Sequence, residues 1–252
     1  MKRYVGQGVA QVVRFNWPMY VAAAVAILAG LYLGSLLPSP WSMASRVLSI
    51  AVLIAVLLSL LATFYAYDLT DLYELDWLRN EMLPSGKSLV NIHAGFDEMS
   101  AMVAEMIPGR ELLVFDFYDP RKHTEPSIER ARRMSLPFPG TKPITTRHIP
   151  VGDGMASAVF LFFAAHEIRD EEERMAFLRE VRRILCDGGR VYVMEHLRDL
   201  PNVIAYHAGV FHFHARGTWL RDFKDAGLAL QDERRLNAFM TLFKLTAYGD
   251  AD

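Results

Sequence analysis

The sequence predicts an α/β fold, a mostly parallel β-sheet with crossover helices, preceded by a hairpin of two transmembrane helices. Two uncharged apolar segments, Pro18 to Leu37 and Val47 to Tyr67, lie near the start of the chain. Each is about 20 residues long, the length of a helix that crosses a bilayer. From Pro84 onward, short apolar runs alternate with helical patterns, which is the sequence form of a parallel sheet.

The composition narrows the class of protein. The chain has 252 residues and a net charge of −2, and its length suits one α/β domain with an addition. Its arginines are scattered among acids, whereas a protein that binds nucleic acid usually carries a basic face. We therefore expect no nucleic-acid partner. Cys186 is the single cysteine, which excludes a disulfide framework.

The two apolar segments are expected to form a hairpin, because residues 38–40 read Pro-Ser-Pro, a helix-breaking turn. Three basic residues precede the first segment, whereas the connection carries only Arg46. Since cytoplasmic flanks carry the excess of lysine and arginine, the N-terminus is expected on the cytoplasmic side of a bacterial-type inner membrane. Two crossings return the rest of the chain to that side. A cleaved signal peptide is the alternative for the first segment, although that pattern requires a shorter apolar core.

Small residues recur four apart along the first segment, at Ala22, Ala26, Gly30 and Gly34. Such a stripe lets another helix approach closely. The partner is either the second segment or a second subunit, which would make a homo-oligomer. The predicted organisation is a cytoplasmic segment 1–16, the hairpin 17–67, a juxtamembrane linker helix 68–83 and an α/β domain 84–252.

The first elements of the α/β domain follow from periodicity. Strands are predicted at Ser88 to Ile92 and Leu112 to Phe115, with a helix from Glu98 to Met106 between them. A weaker pattern indicates a helix at Ser127 to Met134.

The most informative stretch runs from Ala158 to His196. An apolar strand, Val159 to Ala165, ends in His166 and Glu167. Asp170 and Glu173 have the spacing of a capping box, so a helix is expected to begin there and to stop at Gly188 and Gly189. A second strand, Arg190 to Met194, ends in Glu195 and His196. Because ligands bind at the carboxyl ends of parallel strands, these two acid and imidazole pairs predict a site.

The order of these parts resembles the class I S-adenosylmethionine-dependent methyltransferases. The matching pieces are Asp116 at the end of the second strand, residues 149–154 (IPVGDG) and residues 185–190 (LCDGGR). The resemblance implies a Rossmann-like sheet of seven strands. The last two strands, Leu228 to Arg234 and Phe239 to Tyr248, would form its reversed hairpin.

The resemblance also implies S-adenosylmethionine as cofactor and a set of residues that hold it. The family's glycine-rich turn is degenerate here, because only Gly95 keeps a glycine position between Asn91 and Asp97. Either the cofactor binds in an altered pose or the fold serves another use. The expected cofactor-binding residues are Asn91, His93, Gly95, Asp97, Asp116, Asp153, Phe163 and Ala164.

Histidines supply the candidate catalytic and substrate residues. His166 is placed to act as a base toward a hydroxyl or thiol, with Glu167 orienting it and His196 nearby. The region between the fifth strand and the last helix, which includes the run FHFH, is typical of substrate contacts in similar folds. The expected substrate residues are His207, Phe211, His212 and His214.

These observations predict a membrane-anchored methyltransferase that acts on a lipophilic small molecule of the quinone, lipid or thiol class. A metal-assisted enzyme is the first alternative, with ligands drawn from His166, Glu195, His196, His212 and His214, although their spacing matches no known metal motif. The second alternative is a non-catalytic membrane module whose altered turn holds no cofactor.

Overall fold

A computed structural model describes residues 4–249. Their centre is a seven-stranded sheet with the strand order β3-β2-β1-β4-β5-β7-β6. The first five strands pair in parallel, and β7 runs antiparallel to both β5 and β6. The predicted mostly parallel sheet with its reversed hairpin is therefore confirmed. The strands are β1 (Ser88–His93), β2 (Leu112–Asp116), β3 (Lys142–Pro143), β4 (Ala156–Phe162), β5 (Leu185–His196), β6 (Leu228–Arg235) and β7 (Met240–Ala247).

Apolar layers cover both faces of the sheet. Every residue of β4 is buried, which explains why its sequence is apolar throughout rather than alternating. On one face Val159 packs in the same cluster as Phe177 and Trp219; on the other Phe160 packs with Tyr192 and Leu75. The helices of this domain are α5 (Ser100–Met106), α6 (Pro126–Met134), α7 (Glu171–Ile184), α8 (Leu200–Tyr206) and α9 (Arg216–Asp225).

The start of α7 matches its sequence signal in part. Asp170 Oδ1 accepts a hydrogen bond from the backbone N–H of Glu173 at 2.8 Å, as expected of an N-cap. The Glu173 carboxylate instead accepts from Lys122 Nζ at 2.6 Å and from the hydroxyl of Thr146. Only half of the predicted capping box therefore forms.

The end of α7 differs from the prediction. The helix stops at Ile184, and β5 begins at Leu185 and runs through both glycines. The physical reason is pairing, because Leu185 is already in register with Ala156 of β4, with an irregularity before the regular ladder resumes at Arg190. Pairing with β4 therefore decides where α7 ends, and the two glycines do not.

The N-terminal part contains α1 (Gln7–Phe15), α2 (Trp17–Leu36) and α3 (Trp41–Phe64). Both α2 and α3 are long and apolar enough to cross a membrane. The predicted linker helix over residues 68–83 is not one helix. Instead α3 continues into a π-helical turn, Tyr65–Leu69, and only the short α4 (Asp76–Arg79) follows. The breaks occur where Thr70 is extended and Leu75 takes a left-handed conformation with φ of 51°.

The glycines of the small-residue stripe face α3 of the same chain. Ser45 Oγ donates to the carbonyl of Gly30 at 2.6 Å, and Arg46 Nη2 donates to that of Gly34 at 2.9 Å. A Cβ at Gly34 would come within 2.7 Å of the Arg46 side chain. The two glycines thus serve close packing inside the hairpin.

Candidate functional site

The carboxyl ends of β4 and β5 border a cavity of about 290 Å³. Its volume is near the lower end of the range for small-molecule pockets, about 300–1,000 Å³. The polar wall contains His166, Glu167 and His196. Helix α1 closes the opposite side. The aromatic residues of the wall are Phe15, Tyr67, Tyr73, Phe96, Phe162, Phe163, Tyr206 and Phe213.

His166 lies on a 3₁₀ turn, Ala165–Glu167, directly after β4. Its Nδ1 donates to Glu195 Oε2 at 2.6 Å, and its Nε2 lies 3.3 Å from Glu167 Oε1. Burial by itself would lower the pKa of His166, but the two carboxylates outweigh burial and raise it to about 10. The two carboxylates therefore favour the protonated, cationic form of His166 over the neutral form that a general base requires.

Glu167 joins His166 to a second histidine. His212 Nε2 donates to Glu167 Oε1 at 3.2 Å, and His212 Nδ1 lies 2.8 Å from Glu125 Oε1. Burial opposes ionisation of Glu167, yet its hydrogen bonds with the two histidines hold its pKa well below the usual range. Glu125 and Glu167 likewise outweigh burial and raise the pKa of His212. We call His166, Glu167, His212, Glu195 and Glu125 the His/Glu cluster.

His196 forms a rigid part of the wall. Its ring stacks between Phe163 and Phe213, with centroids 5.1 and 4.9 Å away. Its Nδ1 lies 3.1 Å from the carbonyl of Phe239, which makes Nδ1 the donor and leaves Nε2 to accept from the Tyr67 hydroxyl at 3.0 Å. Burial, with the charge of His166, lowers the pKa of His196 to about 4, so its ring is neutral at physiological pH.

A second, smaller site lies at the turn after β1. Gly95 has φ of 95°, a left-handed conformation that favours glycine. Asp97 Oδ1 accepts from the backbone N–H groups of Met99 and Ser100 at 3.0 and 2.9 Å. Within residues 4–249, three buried atoms at this turn have no hydrogen-bond partner, namely Asn91 Oδ1, His93 Nε2 and Asp97 Oδ2. Such unpaired buried atoms are uncommon and are consistent with a polar ligand.

Arg132 of α6 fills the space beside this turn. Its guanidinium pairs with Asp116 Oδ2 and lies 4.3 Å from the centroid of the Tyr118 ring. A Cβ at Gly95 would come within 2.8 Å of Arg132. The remaining cavity between Asp116, Arg132 and the turn is about 60 Å³. The oxygen acceptors at this turn suit S-adenosylmethionine, but the cavity is well below the volume of about 300–1,000 Å³ that is usual for small-molecule pockets, and the Arg132 side chain occupies part of this space.

Several predicted residues lie away from both cavities. Asp153 stands before the amino end of β4, the opposite edge of the sheet, where it pairs with Arg183 at 2.6 Å. With a side chain 82 % exposed, it cannot contact a ligand at the carboxyl edge. Ala164 is buried behind the cavity wall, whereas the neighbouring Phe163 lines the cavity.

The predicted substrate residues are also divided by the structure. The segment His207–His212 is a 3₁₀ helix, and Phe213 and His214 follow it. His207 Nε2 donates to the carbonyl of Ala55 in α3 at 3.0 Å, and Phe211 is 67 % exposed. His214 lies against Arg174 at 3.4 Å. Of the four, His212 alone joins the His/Glu cluster.

Some site residues were missed by the sequence prediction. Phe213 belongs to the FHFH run but was not predicted as a substrate residue. Its place between two histidines is the sequence feature that could have indicated it. Glu125 lies in the stretch with the weakest pattern. Phe15 and Gln11 reach the cavity only because α1 folds back over it, and no local signal predicts that contact.

Comparison with known proteins supports the fold. No family model matches the chain. A demethylmenaquinone methyltransferase of Thermus thermophilus is 27 % identical over 109 residues, which is 43 % of this chain and 47 % of that protein. The chain thus spans about half the length of the curated relative that it matches.

Solved structures match over longer stretches. A methyltransferase dependent on S-adenosylmethionine from Aquifex aeolicus has a TM-score of 0.52 at 13 % identity, covering 76 % of this chain and 97 % of that one. The mitomycin 7-O-methyltransferase MmcR has a TM-score of 0.52 at 14 % identity, covering 97 % and 73 %. The chain therefore has the methyltransferase fold that its order of elements resembles.

Proposed function

We propose that this chain is a membrane-anchored methyltransferase that transfers a methyl group from S-adenosylmethionine to a lipophilic small molecule. One observation carries the proposal. An aromatic cavity with His166 and Glu167 in its wall lies at the carboxyl edge of a methyltransferase sheet. It is next to a turn where two buried oxygens, Asn91 Oδ1 and Asp97 Oδ2, have no hydrogen-bond partner among the described residues. Ligands of open α/β sheets bind at this edge.

The turn after β1 would hold the cofactor. Asp116, at the end of β2, is placed to accept hydrogen bonds from a ribose diol. Asp97 and Asn91 offer their unpaired oxygens to the positively charged part of the ligand. When bound, S-adenosylmethionine would supply a methyl group made electrophilic by its sulfonium, and the leaving group would be the neutral thioether. Before the cofactor could bind Asp116, the ion pair between the Arg132 guanidinium and the Asp116 carboxylate would have to break.

The cavity would prepare the acceptor. Its aromatic walls exclude water and align the bound molecule, and alignment with desolvation supplies much of the rate of a displacement. The cationic imidazole of His166 favours ionisation of a nearby hydroxyl or thiol, because an opposite charge stabilises the resulting anion. Transfer would form a bond from the acceptor oxygen or sulfur to the methyl carbon and would break the carbon–sulfur bond of the sulfonium, which would leave as a neutral thioether. The proton of the acceptor would pass to solvent when its hydroxyl or thiol ionises.

The hairpin supports a lipophilic acceptor. Only 6 % and 11 % of the residues in the apolar windows of α2 and α3 are buried within the protein, unlike the core helices of a soluble protein. One face of α1 lines the cavity, and Val9 and Val13 border an apolar groove shared with Leu57 and Leu61 of α3. Quinones, lipids and apolar thiols that concentrate in a bilayer fit this arrangement.

The basic residues support one orientation for the proposed anchored protein. Under the positive-inside rule, the excess of lysine and arginine before the first apolar segment favours a cytoplasmic N-terminus and α/β domain, where S-adenosylmethionine would be available to the turn after β1.

The test uses the purified full-length protein in lipid nanodiscs. Isotope-labelled S-adenosylmethionine is added with a demethylated quinone, reduced to its quinol so that it carries ionisable hydroxyls, as the first acceptor, because the Thermus relative is named for a substrate of this class, and then with lipid and thiol acceptors. We expect label in the organic extract and binding of S-adenosylmethionine by calorimetry. Asp116→Asn should weaken that binding about tenfold or more, since hydrogen bonds to a charged group contribute about 1.5–3 kcal/mol.

Asp187→Asn is the matched control, because Asp187 is exposed on β5 near the opposite edge of the sheet. It should bind the cofactor as the wild type does. No binding of S-adenosylmethionine by the wild-type protein would refute the proposal, as would binding that Asp116→Asn leaves unchanged.

A further inference from the structure

We propose that His166, Glu167 and His212 form a binding site for one divalent transition-metal ion. Each residue offers one ligand atom, and the three atoms lie within 4.8 Å of one another. Two imidazoles and one carboxylate are a ligand set that holds zinc or iron while leaving coordination positions open.

The short distances in this group match a metal centre. Glu167 Oε1 lies 3.3 Å from His166 Nε2 and 3.2 Å from His212 Nε2. Two ligands that are each about 2.0–2.1 Å from a tetrahedral zinc ion are about 3.3 Å apart. A metal ion can therefore replace the direct contacts with small movements of the three side chains.

In both histidines, the ring nitrogen that would not bind the metal, Nδ1, contacts a carboxylate, as is usual in metal sites. His166 Nδ1 donates to Glu195 at 2.6 Å, and His212 Nδ1 lies 2.8 Å from Glu125. A metal-binding histidine almost always gives its other ring N–H to a carboxylate, a carbonyl or water, which fixes the ring and its tautomer. This pairing on both rings distinguishes the cluster from a chance group of polar residues.

Charge and position also favour a cation. Three carboxylates, those of Glu125, Glu167 and Glu195, converge on the two imidazoles, and the Glu195 side chain has no exposed surface. Buried carboxylates require compensation by positive charge, which the protonated imidazoles supply in the metal-free protein and which a metal ion would supply after replacing their Nε2 protons. His166 and Glu167 also line the aromatic cavity, so the open coordination positions face it.

The structure excludes two histidines from the ligand set predicted from sequence. His196 is held by Tyr67 and the carbonyl of Phe239, and His214 lies against Arg174. Glu195 acts through His166 rather than as a ligand. In the aromatic cavity the metal would hold an acceptor oxygen or sulfur as its anion, and only this last role rests on the proposed function.

The test measures metal binding without S-adenosylmethionine or acceptor. The full-length protein in detergent is stripped with a chelator and titrated with Co²⁺, whose visible absorption reports its coordination, and then with Zn²⁺. We expect one Co²⁺ per chain, displaced by Zn²⁺. Glu125→Gln should weaken binding about 10- to 100-fold, as expected for an outer partner, while His212→Ala and Glu167→Gln should abolish the absorption.

His207→Ala is the matched control, since His207 lies on the same 3₁₀ helix as His212 and outside the His/Glu cluster. It should bind Co²⁺ as the wild type does, and circular dichroism checks that each variant is folded. Absence of stoichiometric Co²⁺ or Zn²⁺ in the wild type would overturn the site, as would binding that persists in both His212→Ala and Glu167→Gln. Metal binding without methyl transfer would instead overturn the proposed function alone.

Discussion

The Arg132 guanidinium pairs with the Asp116 carboxylate, which is the group proposed to bind the ribose of the cofactor. The ion pair is partly exposed, with side chains 36 % and 13 % exposed for Arg132 and Asp116. Such a pair contributes about 1 kcal/mol or less. Arg132→Ala should therefore strengthen binding of S-adenosylmethionine up to about fivefold, because the free protein no longer has to break this contact. Calorimetry on the full-length variant measures the change.

Arg133→Ala is the control for this experiment. Arg133 lies on the same helix and pairs with Glu129 on the exposed side. Its removal should leave the affinity for S-adenosylmethionine unchanged. Weaker binding by Arg132→Ala would show that Arg132 contacts the cofactor instead of competing with it.

The buried ring of His196 makes stability depend on pH. Its pKa is about 4 in the folded protein because burial disfavours the charged form, against about 6.5 for an unfolded histidine. The unfolded state therefore binds more protons in this range, and stability falls as the pH drops from about 6.5 to about 4. The contribution is on the order of 3 kcal/mol in the acid limit.

His196→Gln should flatten this dependence while lowering stability at neutral pH, where the ring packs between two phenylalanines. Thermal unfolding in detergent at a series of pH values compares the variant with the wild type. His148→Gln, at a histidine 74 % exposed, should retain the wild-type slope. An unchanged slope in His196→Gln would mean that this ring is protonated without unfolding.

At the scale of elements, the sequence predicts most of the sheet because its signals are local. The apolar run of β4 and the N-cap at Asp170 depend on neighbouring residues, whereas the reversed hairpin was expected from the family resemblance. The errors arise where pairing at a distance decides the outcome. Leu185 belongs to β5 and not to α7 because it pairs with Ala156 of β4. The two glycines that follow Leu185 in the sequence do not indicate this pairing.

The same reasoning explains which site residues were predicted. His166, Glu167 and Glu195 follow strand ends, and parallel strands bring such ends to one edge. His212 was found by composition, because histidines recur in its segment. Glu125 comes from before α6, and its contact with His212 spans a distance in sequence that no periodic pattern can predict.

At the scale of the whole molecule, the segment before the hairpin, α1, contacts segments that follow the hairpin, and these contacts hold α1 over the cavity. The Asp68 carboxylate, just beyond α3, accepts from the backbone N–H groups of Gly8 and Val9 at 2.8 and 3.0 Å. At the other end of α1, the ring of Phe15 packs edge-on against Phe96 with centroids 5.2 Å apart. The helix that closes the cavity is thus tied both to the hairpin and to the turn after β1.

This arrangement predicts that the protein acts on molecules in its own bilayer. An anchored enzyme and an acceptor in one membrane meet at an effective concentration far above that in solution, a gain of about 10²- to 10⁴-fold for linked partners. Proteoliposomes that contain both the enzyme and a long-tailed acceptor should therefore methylate it much faster than enzyme vesicles mixed with separate acceptor vesicles. A short-chain, water-soluble analogue should react equally in both mixtures, which controls for enzyme activity. Equal rates with the long-tailed acceptor in the two mixtures, under conditions where that acceptor does not exchange between vesicles, would contradict delivery through the membrane and leave methyl transfer to the soluble analogue intact.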